Sequence, residues 1–410
     1  MADTNITENK YSYTIKLEFV LDGKNELIND TGIAQVIINY DYFTGHMPLM
    51  LMRCKISTDT YNRMIRNQDK GKLSITISKF IDGAKSPKKY IQKSLSYYLP
   101  SSVTQGSPAA SAKKKDGDDI NAYVDCSLGL LDVNMVVKNK QLINNEFKNT
   151  NAISIINHYT QSFQMIIEPF DNLDTMKLCY IPPLEGITRL LEYLDSVQSF
   201  YTTPYRFFMD YKYTYLLSMK GTGIDINDGT YKTVQITVQK DDEEYSNNSG
   251  KFIGMGINSK QKIYQFRISD KMVVPSTNDT TDKLFNKVYA VDYKGNTKTV
   301  NVDTNSEVDT KAASNMKIIR VNNSNFGITD EIKSAAEGTG KTISVNIADV
   351  DASIFVPYKE FIFTFEKKED KVFNGVYNLC SKKEVYASNG NVDNEGEFKC
   401  IVNLLFKKKS

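Results

Sequence analysis

"IPPLEGITRLLEYLDSVQSFYTTPYRFFMDYKYTYLLSM", residues 181–219, holds nine aromatic residues and no obvious catalytic group. Pro182 and Pro183 suit a helix start, because first-turn N–H groups have no intrahelical partner and a residue lacking that donor forfeits nothing there. Leu184, Ile187, Leu190, Leu191, Leu194 and Val197 follow at helical spacing, with Arg189, Glu192 and Asp195 off the stripe. The spacing predicts an amphipathic helix over 183–199 lying on a core. Thr202, Thr203 and Pro204 break the pattern. "YRFFMDYKYTYLLSM" (205–219) then predicts two strands with a turn near Asp210 to Lys212. Tyr211, Tyr213, Tyr215 and Leu217 share one face of the second strand, with Lys212 and Thr214 opposite. The unit is a helix, a turn and a hairpin.

Just upstream, "NTNAISIINHYTQSF" (149–163) offers Asn149 or Thr150 as a helix cap and Ile153, Ile156, Tyr159 and Phe163 as a helical face. Further out the chain reads as β. Tyr11, Tyr13, Ile15, Leu17 and Phe19 alternate with polar residues, which predicts a strand with one buried face. "AQVIINYDYF", "MPLMLMRCKIS" and "KLSITISKFIDG" continue the pattern, with a short helix expected at "DTYNRMIRNQ". "SSVTQGSPAASAKKKDGDD" (101–119) has little to bury and is expected to be a mobile loop.

Beyond residue 220 the strand candidates are "TVQITVQ", "KFIGMGINS", "KIYQFRIS", "NKVYAVDYKGNTKTVNVD" and "NMKIIRV", with a hairpin turn expected at Lys294 to Asn296. "KTISVNIADV", "ASIFVPYKEFIFTFEKK", "KVFNGVYNLCSKKEVYAS" and "EFKCIVNLLFKKK" form a last strand group. The fold class expected is mainly β with α (α+β), two β domains bracketing a mixed α/β middle region.

A chain of 410 residues exceeds the size at which single cores stop growing, so two to four domains are expected. Hydrophobic content of 40% and charged content of 24% suit a globular protein. No run approaches the ~20 apolar residues needed to cross a bilayer, and the start lacks the basic and apolar regions of a secretory signal, so neither membrane insertion nor general secretion is expected. A net charge of +2 does not mark a nucleic-acid binder. The five cysteines, Cys54, Cys126, Cys179, Cys380 and Cys400, are odd in number and mostly within strand-like segments, which favours buried free thiols.

Catalytic, cofactor and metal patterns fail on spacing. His46 and His158 are the only histidines and stand far apart, neither at metal-ligand spacing from cysteine or carboxylate. Gly340-Lys341-Thr342 matches the end of a phosphate loop, but Ala335 replaces the first required glycine. The order is also inverted, since a helix ("TDEIKSAAE") is expected before and a strand after. "DINDG" (225–229) has its glycine one position early for a calcium loop, and Ile236 stands where the bidentate glutamate belongs. Asp349 and Asp351 are expected two apart on a strand, without an apolar pocket to raise one pKa. No enzymatic activity, cofactor or metal is expected.

Taken together, Pro182, Pro183, Leu194, Phe200, Tyr201, Pro204, Arg206, Phe207, Phe208, Asp210, Tyr215, Leu216 and Leu217 resemble the core of the central baseplate hub proteins of contractile phage tails. In that family a Pro-initiated helix ends in a Phe-Tyr pair and a "P-x-R-F-F-x-D" strand leads into "YLL"; related hubs occur in type VI secretion spikes. The specific resemblance covers residues 150–219.

The resemblance implies a virion structural protein, a homotrimeric baseplate hub carrying two tail-tube-like β barrels per chain and adapting a threefold central spike to the sixfold tail tube. Closed, nearly equivalent contacts are the physical sense of such an adapter. Implied partners are the tail tube protein ring, the central spike, and possible contacts to the tape-measure protein and baseplate wedge, with DNA only in transit through the lumen and no direct membrane contact. The implied location is the tail baseplate, assembled in the host cytoplasm. On that scheme residues 8–148 form an N-terminal tube-like barrel, 149–220 the helix-hairpin hub core, 221–340 a β-rich middle domain, and 341–410 a segment completing a second barrel. Exposed-edge strand pairing between subunits is expected to continue the sheets into a ring. The rival reading is a peripheral receptor- or glycan-binding module displaying some of the 25 tyrosines.

Overall fold

The computed structural model describes residues 11–22, 24–27, 32–42, 47–81, 88–98, 123–132, 135–137, 140–161, 164–198, 200–201, 205–218, 232–240, 251–258, 261–278, 287–291, 297–301, 316–320, 340–388 and 397–409. The predicted loop at 101–119, the helix at "TDEIKSAAE", the "DINDG" segment, the turn at 294–296, Pro204 and His46 lie outside them.

The first strands follow the period-two pattern of the sequence: β1 (Tyr11–Leu21), β2 (Lys24–Leu27), β3 (Gly32–Asp41), β4 (Leu49–Ser57), β5 (Lys72–Ile81), β6 (Lys88–Tyr98) and β7 (Tyr123–Leu131). Helix α1 (Thr58–Arg66) separates β4 from β5 where the sequence predicts it, capped by Ser57, whose side chain accepts from the Thr60 N–H. The middle region contains β8 (Leu142–Thr150), α2 (Ala152–Thr160), β9 (Met165–Ile167), β10 (Met176–Glu185), α3 (Gly186–Val197), β11 (Tyr205–Met209) and β12 (Thr214–Ser218). Next come β13 (Thr233–Gln239), β14 (Lys251–Asn258), β15 (Gln261–Ser269), β16 (Val273–Asn278), β17 (Lys287–Val291), β18 (Thr297–Asn301) and β19 (Met316–Arg320). The last strands are β20 (Gly340–Ala348), β21 (Glu360–Phe365), β22 (Gly375–Ser388) and β23 (Glu397–Lys408).

Eight of these strands close into a barrel in the order β1-β5-β6-β7-β4-β3-β22-β23, with β23 returning to β1 at Tyr13↔Phe398 and Thr14↔Glu397. Every pairing around the ring is antiparallel. Residues 8–148 therefore do not complete the barrel alone, because β22 and β23 from the far end of the chain supply its last two staves. Closure leaves these strands no free edge, so the expected subunit-to-subunit pairing through the barrel edge is not available to them.

The two closing strands also outrun the barrel. β22 carries a bulge between Leu379 and Ser381. Before it, residues 375–377 pair with β21; after it, 381–387 pair with β3. β23 pairs with β20 from Ile401 to Lys407. A second sheet grows from this shared hairpin, with β21, β13, β15 and β14 on one side and β20 and β16 on the other. Residues 375–408 thus belong to both units. Within the region expected as a separate middle domain, β13 to β16 join this same sheet, and β17 to β19 make a small sheet of their own.

Inside the barrel, Leu17, Val36, Ile38, Met52, Ile75, Leu95 and Leu128 are fully or almost fully buried. α1 packs its Met64 against one end, where the Tyr97 hydroxyl donates to the Met64 carbonyl at 2.7 Å. Gly71 sits in that corner, where a Cβ would lie 2.8 Å from the Phe19 ring and 2.9 Å from the Tyr97 hydroxyl. Toward the other end of β1, the Tyr13 hydroxyl donates to the Val350 carbonyl at 3.0 Å, and Lys79 pairs with Asp351 at 2.6 Å. Asp349 and Asp351 are not on a strand as expected: β20 ends at Ala348, Asp349 has a φ of +55°, and Asp351 caps the 3-10 turn Ala352–Ile354.

Candidate functional site, a hairpin packed on both faces

The signature residues gather in the middle region, with one correction. Pro182 and Pro183 do not start the helix; they lie in β10, where register with β8 shifts between Ile181↔Asn145 and Leu184↔Ile143. Two prolines thus stand against one partner residue. A bulge suits a residue that cannot donate to the ladder. Helix α3 begins at Gly186, whose φ of +80° turns the chain out of the strand and whose N–H donates to the Gln141 carbonyl at 2.8 Å. Its buried face is Ile187, Leu190, Leu191 and Leu194, at the predicted spacing; Leu184, expected on the same stripe, lies in β10, and Val197 is half-buried. The cap of α2 is Asn151 rather than Asn149 or Thr150, its side chain accepting from the Ser154 N–H at 3.0 Å.

Phe200 and Tyr201 anchor the segment that follows α2. Phe170 stacks on Phe200 at 4.8 Å and meets Tyr201 edge-on at 5.2 Å. The Tyr201 hydroxyl donates to the Glu168 carbonyl at 2.8 Å, and the Asp171 N–H donates to the Phe200 carbonyl at 3.0 Å. Glu168 in turn accepts from the Ser218 N–H through its carboxylate at 2.6 Å. β9 adds to β12 in parallel, from Met165↔Thr214 to Ile167↔Leu216.

Both strands of the β11–β12 hairpin are buried at every position, Thr214 included. Tyr211 and Tyr213, expected on the face of the second strand, lie in the turn with the exposed Lys212. Tyr205, Phe207, Met209 and Leu216 face the helix side, in one cluster with Leu190, Leu194, Phe200 and Tyr201. Phe208, Tyr215 and Leu217 face the other way and belong to the core that runs through the barrel and the second sheet. Phe208 meets Tyr42 at 5.3 Å and stacks on Tyr215 at 4.9 Å; Tyr215 stacks on Tyr358 at 6.2 Å. Asp210 shapes the turn: one carboxylate oxygen accepts from the Lys212 and Tyr213 N–H groups at 2.6 Å each, the other from the Tyr215 hydroxyl at 2.7 Å. Burial raises the Asp210 carboxyl above its ordinary 3.8, against these hydrogen bonds. Arg206, 1% exposed, lies over the Phe208 ring at 5.7 Å, and burial lowers its guanidinium pKa.

Beside this face runs a buried polar row that periodicity did not reveal. The β22 bulge switches inward parity, so Lys382, Glu384 and Tyr386 turn into the barrel. Lys382 pairs with Glu384 at 2.8 Å and lies 4.6 Å over the Tyr40 ring; Glu384 also accepts from the Tyr386 hydroxyl at 2.7 Å and from Tyr90. Burial first, then the Glu384 charge, pushes the Tyr40, Tyr90 and Tyr386 hydroxyls well above the ordinary 10.0. The row fixes geometry; these phenols hold their protons at neutral pH. His158 is exposed on α2, edge-on to Phe147 and Tyr159. Gly340, Lys341 and Thr342 are the first residues of β20 and pair with β16. Among the described residues, no three His, Cys, Asp or Glu side chains converge as a metal-ligand set, and no helix is long and apolar enough to cross a membrane.

A family model described as Bacteriophage PBS1 gene 109 protein matches residues 1–407. The chain belongs to that family. No curated protein matches it. The PBS1 gene 109 family fold is similar to that of the tail protein from Neisseria meningitidis MC58, at a TM-score of 0.50 and 9% identity over 97% of this chain and 96% of that one. The 43 kDa tail protein of prophage MuSo2 from Shewanella oneidensis aligns at 0.48 and 9% identity over 96% and 97% of the two chains. Prophage tail protein gp18 from Listeria monocytogenes EGD-e aligns at 0.42 and 9% identity over 95% and 94%. At such identities the likeness concerns the fold.

Proposed function

We propose that this chain is a structural tail protein acting as a trimeric baseplate hub, which joins a threefold central spike to a sixfold tail tube. Membership of a phage family and a fold shared end to end with a tail protein support the tail assignment. The observation that carries the hub reading is the hairpin β22–β23, which closes an eight-stranded barrel and then serves as the base of a second sheet. That sheet runs β15-β13-β21-β22-β23-β20-β16, and β15 passes into β16 through the turn Asp270–Met272, so its path returns covalently to its start. Two tube-like modules on one rigid hairpin would let three chains present six similar lobes.

The middle region is the bracket in this scheme. The hairpin β11–β12 has one face in the helix-side core and the other in the core that the barrel and the second sheet share. The outer face of β8–β10 exposes Leu142 at 70%, Leu178 at 59% and Tyr180 at 57%, a surface suited to contact between subunits. Ring formation would use side-chain faces and the sheet-end strands β14 and β16 rather than the closed barrel wall. The partners would be two further copies, the tube ring and the spike, in a tail baseplate assembled in the host cytoplasm, and the task needs no catalysis. The tyrosine-display alternative is weakened by the burial of Tyr13, Tyr40, Tyr97, Tyr215, Tyr377 and Tyr386. Copy counting in purified particles by quantitative mass spectrometry tests the hub: the expected ratio is half as many copies of this chain as of protomers in one tube ring. A ratio matching the wedge or fibre proteins instead would overturn it.

A further inference from the structure

The seam between β4 and β7 holds two thiols that the hub reading does not use. Cys54 and Cys126 are direct cross-strand partners on the inner face of the barrel wall. Their Sγ atoms lie 3.5 Å apart, and both thiols are free. Directly opposed residues of an antiparallel pair have Cα atoms about 4.5–5.5 Å apart, inside the window of about 4.4–6.8 Å that a disulfide spans. Closing the sulfurs from 3.5 Å to a bond of about 2.05 Å needs a shift of about 1.5 Å. Cys179, Cys380 and Cys400 stand elsewhere, on β10, β22 and β23.

We propose that Cys54 and Cys126 form a convertible thiol pair that a small organic disulfide oxidises to a cross-strand disulfide, stapling the barrel wall. In the first step the Cys126 thiolate attacks one sulfur of the reagent RSSR, forming Cys126–S–SR and expelling RS⁻. In the second the Cys54 thiolate attacks the Cys126 sulfur, forming the Cys54–Cys126 bond and expelling the second RS⁻. The protein loses two thiol protons and two electrons, and RSSR leaves as two RSH. Either thiol can act first, because either sulfur can be the donor in their contact, and the sequence beginning at Cys126 is one of two equivalent orders. β4 and β7 are separated in sequence by the segment that carries α1, β5 and β6, so the staple would tie a pairing between distant segments and restrict the unfolded chain. The proposal stands whether or not the chain is a hub.

The test treats the purified full chain with hydroxyethyl disulfide, both folded below its melting temperature and during refolding from denaturant. An acid quench and alkylation under denaturing conditions then count the thiols. The expected result in at least the refolding arm is a fall from five alkylated cysteines to three, a peptide pair linking Cys54 to Cys126, and a Tm higher by roughly 3–6 °C that reductant reverses. Cys54→Ser and Cys126→Ser should each show neither the linkage nor the Tm rise. Five alkylated cysteines in both arms, a stable reagent adduct on Cys126, a linkage to another cysteine, or the same rise in either variant would overturn the proposal.

Discussion

The helix–hairpin core and the barrel bury their apolar residues by opposite routes. Residues 142–218 fold mainly on themselves: α3 follows β10 directly, α2 follows β8, and β11 turns into β12 around Asp210. The barrel closes by joining Tyr13 to Phe398 and Ile37 to Val385, contacts separated by most of the chain. Local contacts need little loop closure, whereas such distant pairings must be ordered before they are rewarded. The hairpin β11–β12 links the two, one face in each core.

The largest effect should come from removing residues 375–410, which takes away both closing staves. Hydrogen exchange is expected to show β1 and β3 amides unprotected in that truncation; retained protection would mean the barrel closes without β22 and β23. Next, Phe207→Ala and Phe208→Ala should each cost about 3–5 kcal/mol in denaturant melts, through different cores. Exchange should loosen 142–201 in Phe207→Ala and β3 with β22 in Phe208→Ala; identical maps would show that the two cores are one.

A comparable test lies inside the barrel. Lys382→Met leaves Glu384 buried without its cation and should cost about 3–5 kcal/mol, while Lys382→Met combined with Glu384→Leu should recover most of that loss. Asp210→Asn should have a smaller effect with a pH signature. The native carboxyl is raised above 3.8, so its protonation contributes stability that is fully present below that unfolded value and is lost as pH rises through the folded one. Wild type minus variant should therefore slope downward with rising pH in that window, and a flat difference would contradict the burial of a proton-binding carboxyl. Arg189→Ala, which breaks the exposed pair with Glu192 at 2.7 Å, should change stability by less than about 1 kcal/mol.

The same contrast explains what could be read from sequence. The face of α3, the placement of α1, the β11–β12 hairpin and its turn, and the alternation of β1, β3, β4 and β5 were legible because each rests on spacing within one segment. Ring closure was not, since no local pattern says that Tyr13 meets Phe398. The bulge in β22 hid the polar row, because it changes which parity of "SKKEVYAS" faces inward; strict alternation does not announce a buried Lys382 and Glu384. Pro182 and Pro183 misled for a related reason: a residue without an N–H fits a helix start and a strand bulge equally well, and the pairing with β8 decides between them. Cys54 and Cys126 were recognisable as strand cysteines, but only the register of β4 on β7 sets them opposite each other.

The most direct measurement is the solution mass of the purified chain by light scattering, alone and with the candidate spike protein. A threefold hub gives three times 46.5 kDa, about 140 kDa, alone, or that amount added to the spike's own mass in the complex. A mass of one copy, 46.5 kDa, alone, and no more than one copy added to the spike's mass in the mixture, would contradict it.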